Sequence, residues 1–222
     1  MDPNMALETM DPKNVDLKTS VLELMHQGGP VMWALLVFSI VALGSFFERA
    51  WVLRRARTDM KAYLTALTRT LLEKRSVSEA MKVSASTPGP APRVALAGLR
   101  HFESSTSHLE KSIERRAQGE VRRLHRGLGI LATTAVTAPL LGFLGTVTGM
   151  ISSFDILSDF GTSNPGMVAH GIKEALTTTA AGLTIAVPTQ IAHNVLSSRV
   201  ERIVGDIEEV ANFLLEARET SS

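Results

Sequence analysis

Cysteine is absent from the 222 residues, and phenylalanine, tryptophan and tyrosine together account for only 5% of them. A chain without thiols has neither disulfides nor thiolate metal sites, so the redox state of its compartment cannot be inferred. No nucleophile–base pair, metal-ligand cluster or phosphate-binding loop is recognisable either, since the glycines from Gly142 to Gly149 lie inside an apolar run. We therefore expect no metal, no cofactor and no enzymatic activity.

Charged side chains are also missing from three long stretches. Residues 27–47 and 127–154 contain no ionisable side chain, and residues 175–198 contain only His193. A hydrocarbon core about 30 Å thick needs roughly 20 residues of helix, so each stretch is long enough to span a membrane. The sequence therefore predicts an all-α membrane protein with long helical extensions and three transmembrane helices, which cover 31–47, 127–154 and 174–198.

Positive charge is concentrated between the first and second stretches. Residues 48–126 hold 17 of the 23 lysines and arginines against eight acids, a net charge of +9. Bases that flank spans mark the cytoplasmic side of a membrane. We therefore expect a cytoplasmic helical domain over 48–126 and a cytoplasmic C-terminal helix and tail over 199–222, with the segment 1–30 and the loop 155–173 on the outer side. Because topology explains the basic segment, and no aromatic residues are interleaved in it, nucleic-acid binding is not predicted.

The N-terminal segment carries five acids and two bases, which is opposite to the pattern of a cleavable signal peptide. We therefore expect the first span to be retained as an anchor. Apolar spacing over 17–25 predicts a short amphipathic helix at the membrane interface.

The cytoplasmic domain shows helical spacing over 52–75, followed by a restart capped by Ser76 or Ser78. The breaker-rich residues 84–93 predict a linker. The amphipathic pattern over 94–126 has no proline before the second span, so we expect one long helix that is weakened near Gly127 and Gly129. The third span likewise continues into helical spacing over 199–216.

Small residues form a stripe at helical spacing along the second and third spans. Such residues let two backbones approach closely. Two interpretations stay open: helix packing alone, or a contribution to the lining of a pore. The stripe comprises Ala135, Ala138, Gly142, Gly145 or Thr146, Gly149 and Ser153 on the second span and Ala175, Thr179, Gly182, Ala186 and Gln190 on the third; the candidates for pore lining or packing are Ala138, Gly142, Gly145, Gly149, Gly182 and Ala186.

Ten threonines occupy the same two spans. A hydroxyl in an apolar helix commonly bonds back to its own backbone, which is functionally silent. Thr146 and Thr179 are distinguished by depth, since in antiparallel helices they lie about 12 Å and about 6 Å below the outer ends of their spans. We therefore predict that these two hydroxyls line one aqueous path in the outer half of the bilayer.

Glu174 opens the third span. One interpretation is an acid in the first turn that complements the dipole of its own helix, and the other is a carboxylate at the mouth of a pore. His170 and His193 titrate in a range suited to proton transfer, but a single interfacial histidine is more often solvated or packed. No carboxylate lies deep in any of the three spans. A proton carrier in the middle of the membrane must therefore come from another chain.

These residues also carry a resemblance to a known family. The segments APLLGFLGTVTGMISSF (138–154) and GIKEALTTTAAGLTIAVP (171–188) resemble the signature of the MotA/TolQ/ExbB proton-channel family. FFERAW (46–51) and the three-span plan resemble its ExbB/TolQ branch, which includes gliding-motility homologues. The resemblance covers roughly residues 30–215.

The resemblance implies a homopentamer in the bacterial inner membrane, with its outer side in the periplasm. The ring would enclose the single spans of two ExbD/TolR-like subunits, each with a membrane Asp, and would use the proton motive force to drive periplasmic or outer-membrane coupling proteins. Thr146 and Thr179 match the family's pore threonines, and Glu174 matches its pore-mouth glutamate.

Two departures from the family pattern leave questions open. Thr177 and Thr178 make the third span unusually polar, and Lys173 precedes Glu174. The process that is powered (nutrient uptake, envelope maintenance or gliding motility) and the choice of proton or sodium are not fixed by the sequence. The alternative function is a non-conducting membrane scaffold that anchors a partner complex.

Overall fold

The computed structural model describes residues 25, 28–161 and 165–220, and every regular element within these ranges is helical. The predicted all-α class is thereby confirmed for this part of the chain. The amphipathic helix expected over 17–25 falls, except for Met25, outside the described residues. The elements are α1 Gly29–Arg55, α2 Met60–Thr68, a π-helical turn Arg69–Glu73, α3 Val77–Ser86, α4 Pro90–Leu99, α5 Thr106–His125, α6 Leu128–Phe160 and α7 Pro165–Thr220.

The chain divides into two compact units. The apolar unit contains the described residues up to Val41 and Thr134–Pro188, and the leucine-core unit contains Ala42–Thr133 and the described residues from Thr189 onward. Helices α1, α6 and α7 each contribute residues to both units.

Two helical stretches are long and apolar enough to cross a membrane, Gly29–Glu73 and Thr106–Asp159. In the most apolar part of each stretch only 17% and 33% of the residues are buried. Because the core helix of a soluble protein is mostly buried, these exposed apolar stretches support a membrane protein. The third predicted span is not among such stretches in the described residues. We attribute this to its threonines and to Gln190, which lower its hydropathy.

The leucine-core unit has an interior of large aliphatic side chains. The helices α2 to α5 and the C-terminal part of α7 contribute to it, and Leu67, Leu109 and Leu214 are 0% exposed. The hydroxyls of Tyr63 and Ser84 lie 2.8 Å apart in a buried hydrogen bond between α2 and α3. Ser76 caps α3, as the sequence predicts, by accepting a hydrogen bond from the backbone N–H of Glu79 at 3.3 Å.

The linker predicted over 84–93 is wrong, because only residues 87–89 of that stretch lie outside helices. Proline is well tolerated in the first turn of a helix, where the missing N–H would have no partner, and α4 begins with Pro90. Gly89 supplies the turn with φ of +134°, and a side chain there would strike the Thr58 hydroxyl. The prolines therefore start a helix here.

The single long helix predicted over 94–126 and into the second span is also wrong. It is interrupted between α4 and α5 at residues 100–105. A second break, between α5 and α6 at Arg126 and Gly127, lies at the weak point that the sequence predicts near Gly127. Gly127 has φ of +86°, and an added Cβ would lie 2.7 Å from Nε of the buried Arg49. The helix pattern over 52–75 is likewise broken between α1 and α2. Leu72 is 40% exposed in the π-helical turn.

Helix α7, by contrast, continues from Pro165 to Thr220 without interruption. The C-terminal residues thus extend the third apolar run, as their spacing predicts.

Candidate functional site

The apolar unit is built on an antiparallel contact between α6 and α7 in which glycines allow the backbones to touch. A Cβ added at Gly182 would lie 2.6 Å from the carbonyl oxygen of Ala138, and one at Gly142 would lie 3.0 Å from that of Thr178. One added at Gly149 would lie 2.9 Å from the carbonyl oxygen of Gly171. A Cβ at these distances would crowd backbone atoms, so glycine is needed at these three positions of the contact, which we call the seam.

The seam has a regular register, since each step along α6 is matched by an equal step back along α7. Ala138 meets Gly182, Gly142 meets Thr178, and Gly149 meets Gly171. The same register places Thr146 level with Glu174. Thr179 lies five residues from that level, which is about 7.5 Å along the helix.

Thr178 is the threonine that fills the seam, a role the sequence analysis did not assign. It is 1% exposed and packs directly on Gly145, and its hydroxyl donates to the carbonyl of Ala175 at 2.8 Å. On α7 the buried stripe therefore contains Thr178 in place of the predicted Thr179. It also contains the buried Thr189 in place of the predicted Gln190, which is exposed. The six candidate positions for packing or pore lining are all buried, namely Ala138, Gly142, Gly145, Gly149, Gly182 and Ala186.

Thr146 and Thr179 lie on one flank of the seam. Thr146 is turned about 40° around α6 from Gly142, and Thr179 about 100° around α7 from Thr178. Because the helices are antiparallel, these opposite-handed rotations carry both side chains to the same side. Both are half-buried, and Thr179 donates to the carbonyl of Gly142 at 2.9 Å across the seam. The two threonines predicted for the path therefore lie on the same flank of the seam, and their role in a path stays a prediction.

The hydroxyl of Thr146 donates to the carbonyl of Phe143 at 2.6 Å, within its own helix. A hydroxyl that donates to a backbone carbonyl keeps lone pairs that accept hydrogen bonds. Thr146 and Thr179 therefore present acceptors on this flank, with their own protons already engaged.

Glu174 lies on the opposite flank, where α1 packs. A side chain at Gly29 would strike the carboxylate of Glu174, so this carboxylate lies over the first residue of α1. Helix α7 begins at Pro165, nine residues earlier, so Glu174 is not in the first turn of its own helix. That interpretation is wrong. The carboxylate instead complements the N-terminal end of another helix, where negative charge is favourable.

The remaining polar residues near the seam have local roles. Ser153 is 3% exposed and donates to the carbonyls of Gly149 and Val168, at 3.0 and 3.3 Å. His170 is exposed, and Nδ1 of His193 lies 3.4 Å from the side-chain oxygen of Asn194. No group of His, Asp or Glu with the arrangement of a metal site occurs among the described residues.

The seam lies within a segment of the chain that matches a known protein family. The model of the MotA/TolQ/ExbB proton channel family matches residues 86–209, more than half of the chain and including the whole seam. The chain belongs to this family. The family predicted from the sequence is therefore confirmed.

Relatives within the MotA/TolQ/ExbB family carry ExbB and TolQ names. An ExbB-like biopolymer transport protein of Synechocystis is 35% identical over 80% of this chain and 71% of its own length. The biopolymer transport protein ExbB of Pseudomonas putida is 30% identical over 83% of this chain and 58% of its own length. The Tol-Pal system protein TolQ of Pseudomonas aeruginosa is 28% identical over 88% of this chain and 90% of its own length. These matches place the chain in the ExbB/TolQ branch, whose members are membrane proteins.

Proposed function

We propose that this chain is the proton-conducting stator subunit of an energy-transducing complex in the bacterial inner membrane. It would act by ion conduction coupled to movement, and not as an enzyme. The observation that carries the proposal is the polarity of the seam. Two half-buried threonine hydroxyls share one flank of a glycine-packed helix pair, and no carboxylate lies deep in the apolar runs of the chain.

The proposal includes three spans, with the N-terminus in the periplasm and the C-terminus in the cytoplasm. The third span, in α7, is supported by its outward side chains, since Leu176, Val187 and Ile191 are 57–65% exposed. Large exposed apolar side chains at helical spacing are what lipid contact requires. The arginines in the last turns of α1 and those that precede α6 support the cytoplasmic assignment of the domain between them.

An assembly is needed because one copy holds acceptors but no proton carrier at this depth. We infer a homopentamer that encloses single-span subunits of the ExbD/TolR type, whose membrane Asp would take up and release protons beside Thr146 and Thr179. Threonine lone pairs would hold water or accept a bond from the protonated carboxyl. Because Glu174 faces α1 on the opposite flank of the seam, the proposed path beside Thr146 and Thr179 does not include it.

The relatives indicate the kind of work. Biopolymer transport and the Tol-Pal system, named for the ExbB and TolQ relatives, are both envelope processes. We propose that this chain also delivers force to periplasmic or outer-membrane coupling proteins.

The test is proton flux into vesicles that contain the full chain with and without its single-span partner. Thr179→Val keeps the shape of the side chain but removes its acceptor. We expect the partner-dependent flux to fall about tenfold or more, which corresponds to about 1.4 kcal/mol on the barrier. Thr184→Val is the matched control, because Thr184 is exposed and its hydroxyl bonds only to its own helix at the carbonyl of Ala180. Full flux in an assembled Thr179→Val complex would remove this threonine from the path.

A non-conducting scaffold is the second candidate, and one observation favours it. The hydroxyls of both Thr146 and Thr179 already donate to backbone carbonyls within a single copy. The scaffold predicts that the partner binds while the vesicles show no partner-dependent flux of protons or of sodium.

A further inference from the structure

A strongly basic groove lies between α4 and α5 in the leucine-core unit. Its volume is about 750 Å³, and its floor includes Leu96 and Ala97. No carboxylate side chain lines it. The ionisable residues around it are Arg93, Arg100, His101, His108, Lys111, Arg115 and Arg116.

A buried carboxylate fixes one wall of this groove. Glu120 has a side chain only 5% exposed and accepts two hydrogen bonds from Arg93, at 2.7 and 3.0 Å. It also pairs with Arg116 at 2.9 Å. Arg100, Lys111 and Arg115 form no ion pair with the described residues, so the groove keeps a large uncompensated positive charge.

An acidic stripe runs along the C-terminal part of α7. Glu201, Glu208, Glu216 and Glu219 recur on one helical face, with Glu209 beside them, and all five are exposed. In the described part of the chain none of the five has an ion-pair partner.

The two charged surfaces do not meet within one copy. The apolar face of α7, opposite the acidic stripe, is the one that packs inward, with Ile207, Val210 and Leu214 at most 1% exposed. A Cβ added at Gly98 of α4 would lie 3.0 Å from Cδ1 of Leu214. The acids are therefore turned away from the helices that form the groove.

We propose that the acidic stripe of one copy docks in the basic groove of the next copy in a ring. A nucleotide or an anionic lipid would match the groove but leave the stripe without a partner, whereas a second copy matches both surfaces. Contacts between two different patches of the same chain are heterologous, and they generate closed rings when the rotation closes. The inference deepens the proposed function, because it supplies a cytoplasmic contact for the oligomer.

Cross-linking tests the contact directly, since the chain contains no cysteine of its own. The full chain in the complex with its partner would carry Arg115→Cys together with Glu201→Cys, Glu208→Cys or Glu216→Cys, treated with a short bismaleimide. We expect at least one pair to give a ladder of oligomers that ends at the ring size. In the matched control Glu110→Cys replaces Arg115→Cys, because Glu110 is exposed on another face of α5. Equal yields from the control, or no ladder from any pair, would overturn the proposal.

Charge reversal provides the second measurement. Lys111→Glu with Arg115→Glu, or Glu208→Lys with Glu216→Lys, should each lower the salt resistance of the oligomer, and the four changes together should restore it. A fourfold variant no better than either pair would contradict the contact. So would variants that change the binding of ATP or of anionic vesicles while the cross-link persists unaltered.

The proton-flux assay separates this inference from the proposed function. Flux without any specific cross-link would refute the contact and leave the channel standing. A specific cross-link without flux would support the contact and refute proton conduction by the complex.

Discussion

The two units of this chain are both helical, but they bury opposite kinds of residues. In the apolar unit the seam holds glycine, alanine and threonine, while large side chains such as Phe143 and Leu176 are 64% and 65% exposed. In the leucine-core unit the buried residues are mainly leucine, isoleucine and valine, and the charged side chains, apart from Arg49 and Glu120, are not buried. These opposite patterns of burial suit the apolar unit to lipid and the leucine-core unit to water.

The physical reason is the difference in driving force. Water drives large aliphatic side chains together in proportion to the apolar area they bury. Lipid offers no such drive, because its tails are as apolar as leucine, so helices associate through close backbone contact. The glycine seam therefore does for the apolar unit what the leucine core does for the other. It also leaves polar hydroxyls on an open flank.

Among substitutions that test the difference between the two units, the largest effect is expected for a large side chain at Gly182. In Gly182→Leu the added Cβ would meet the carbonyl oxygen of Ala138 and, at 3.1 Å, Cα of Gly142, and backbone atoms cannot yield as a side chain does. Overpacking typically costs about 1–3 kcal/mol and more where nothing can relax. We expect loss of the assembled complex, measured as the monodisperse fraction extracted in mild detergent.

Gly44→Leu is the control for this change. Gly44 also lies in an apolar helix, but a Cβ there has no atom within 4 Å. A Gly182→Leu complex that assembles as well as the control would show that the seam is not held by backbone contact.

An effect confined to the leucine-core unit is expected for Leu214→Ala. Leu214 is 0% exposed and belongs to the main apolar core. Removing a buried leucine side chain typically destabilises a protein by about 2–5 kcal/mol. Denaturant unfolding followed by circular dichroism should show the loss, with Leu72→Ala, at a 40% exposed position, close to unchanged. Equal losses for the two variants would refute the assignment of the core.

The same contrast explains what the sequence alone could predict. Apolar spacing predicted helical structure over 52–75, 94–126 and 199–216, because burial of large aliphatics follows directly from helical period. Ser76 as a cap followed from local chemistry. These features depend on neighbours within one or two turns of the chain.

The failures occur where tertiary contact decides. Breakers at 84–93 signal either a linker or a helix start, and only the packing of Pro90 and the turn at Gly89 select the second. Thr178 and Thr179 point in directions 100° apart on α7. Which of them faces the seam depends on where α6 lies, and the spacing of residues along α7 does not give that direction. Glu174 is level with Thr146 yet faces α1, and no spacing in the sequence encodes where α1 lies.

The smallest effect concerns the surface of the leucine-core unit, where charge adds little to what the core supplies. Lys74 donates to Glu79 at 2.8 Å, and this hydrogen bond, with the charge of Lys74, lowers the pKa of the Glu79 carboxyl below its usual value. A carboxyl with a lowered folded-state pKa stabilises the fold above its unfolded pKa, and the contribution is lost as the pH falls through the folded value. Glu79→Gln should therefore lower the melting temperature slightly at neutral pH and not at all in acid. Both pair members are about half exposed, so high salt should reduce the difference as well.

Glu73→Gln, an exposed carboxyl without an ion pair in the described part of the chain, is the control. A pH-independent loss in Glu79→Gln would instead point to the first turn of α3, where the backbone N–H of Glu79 bonds to Ser76.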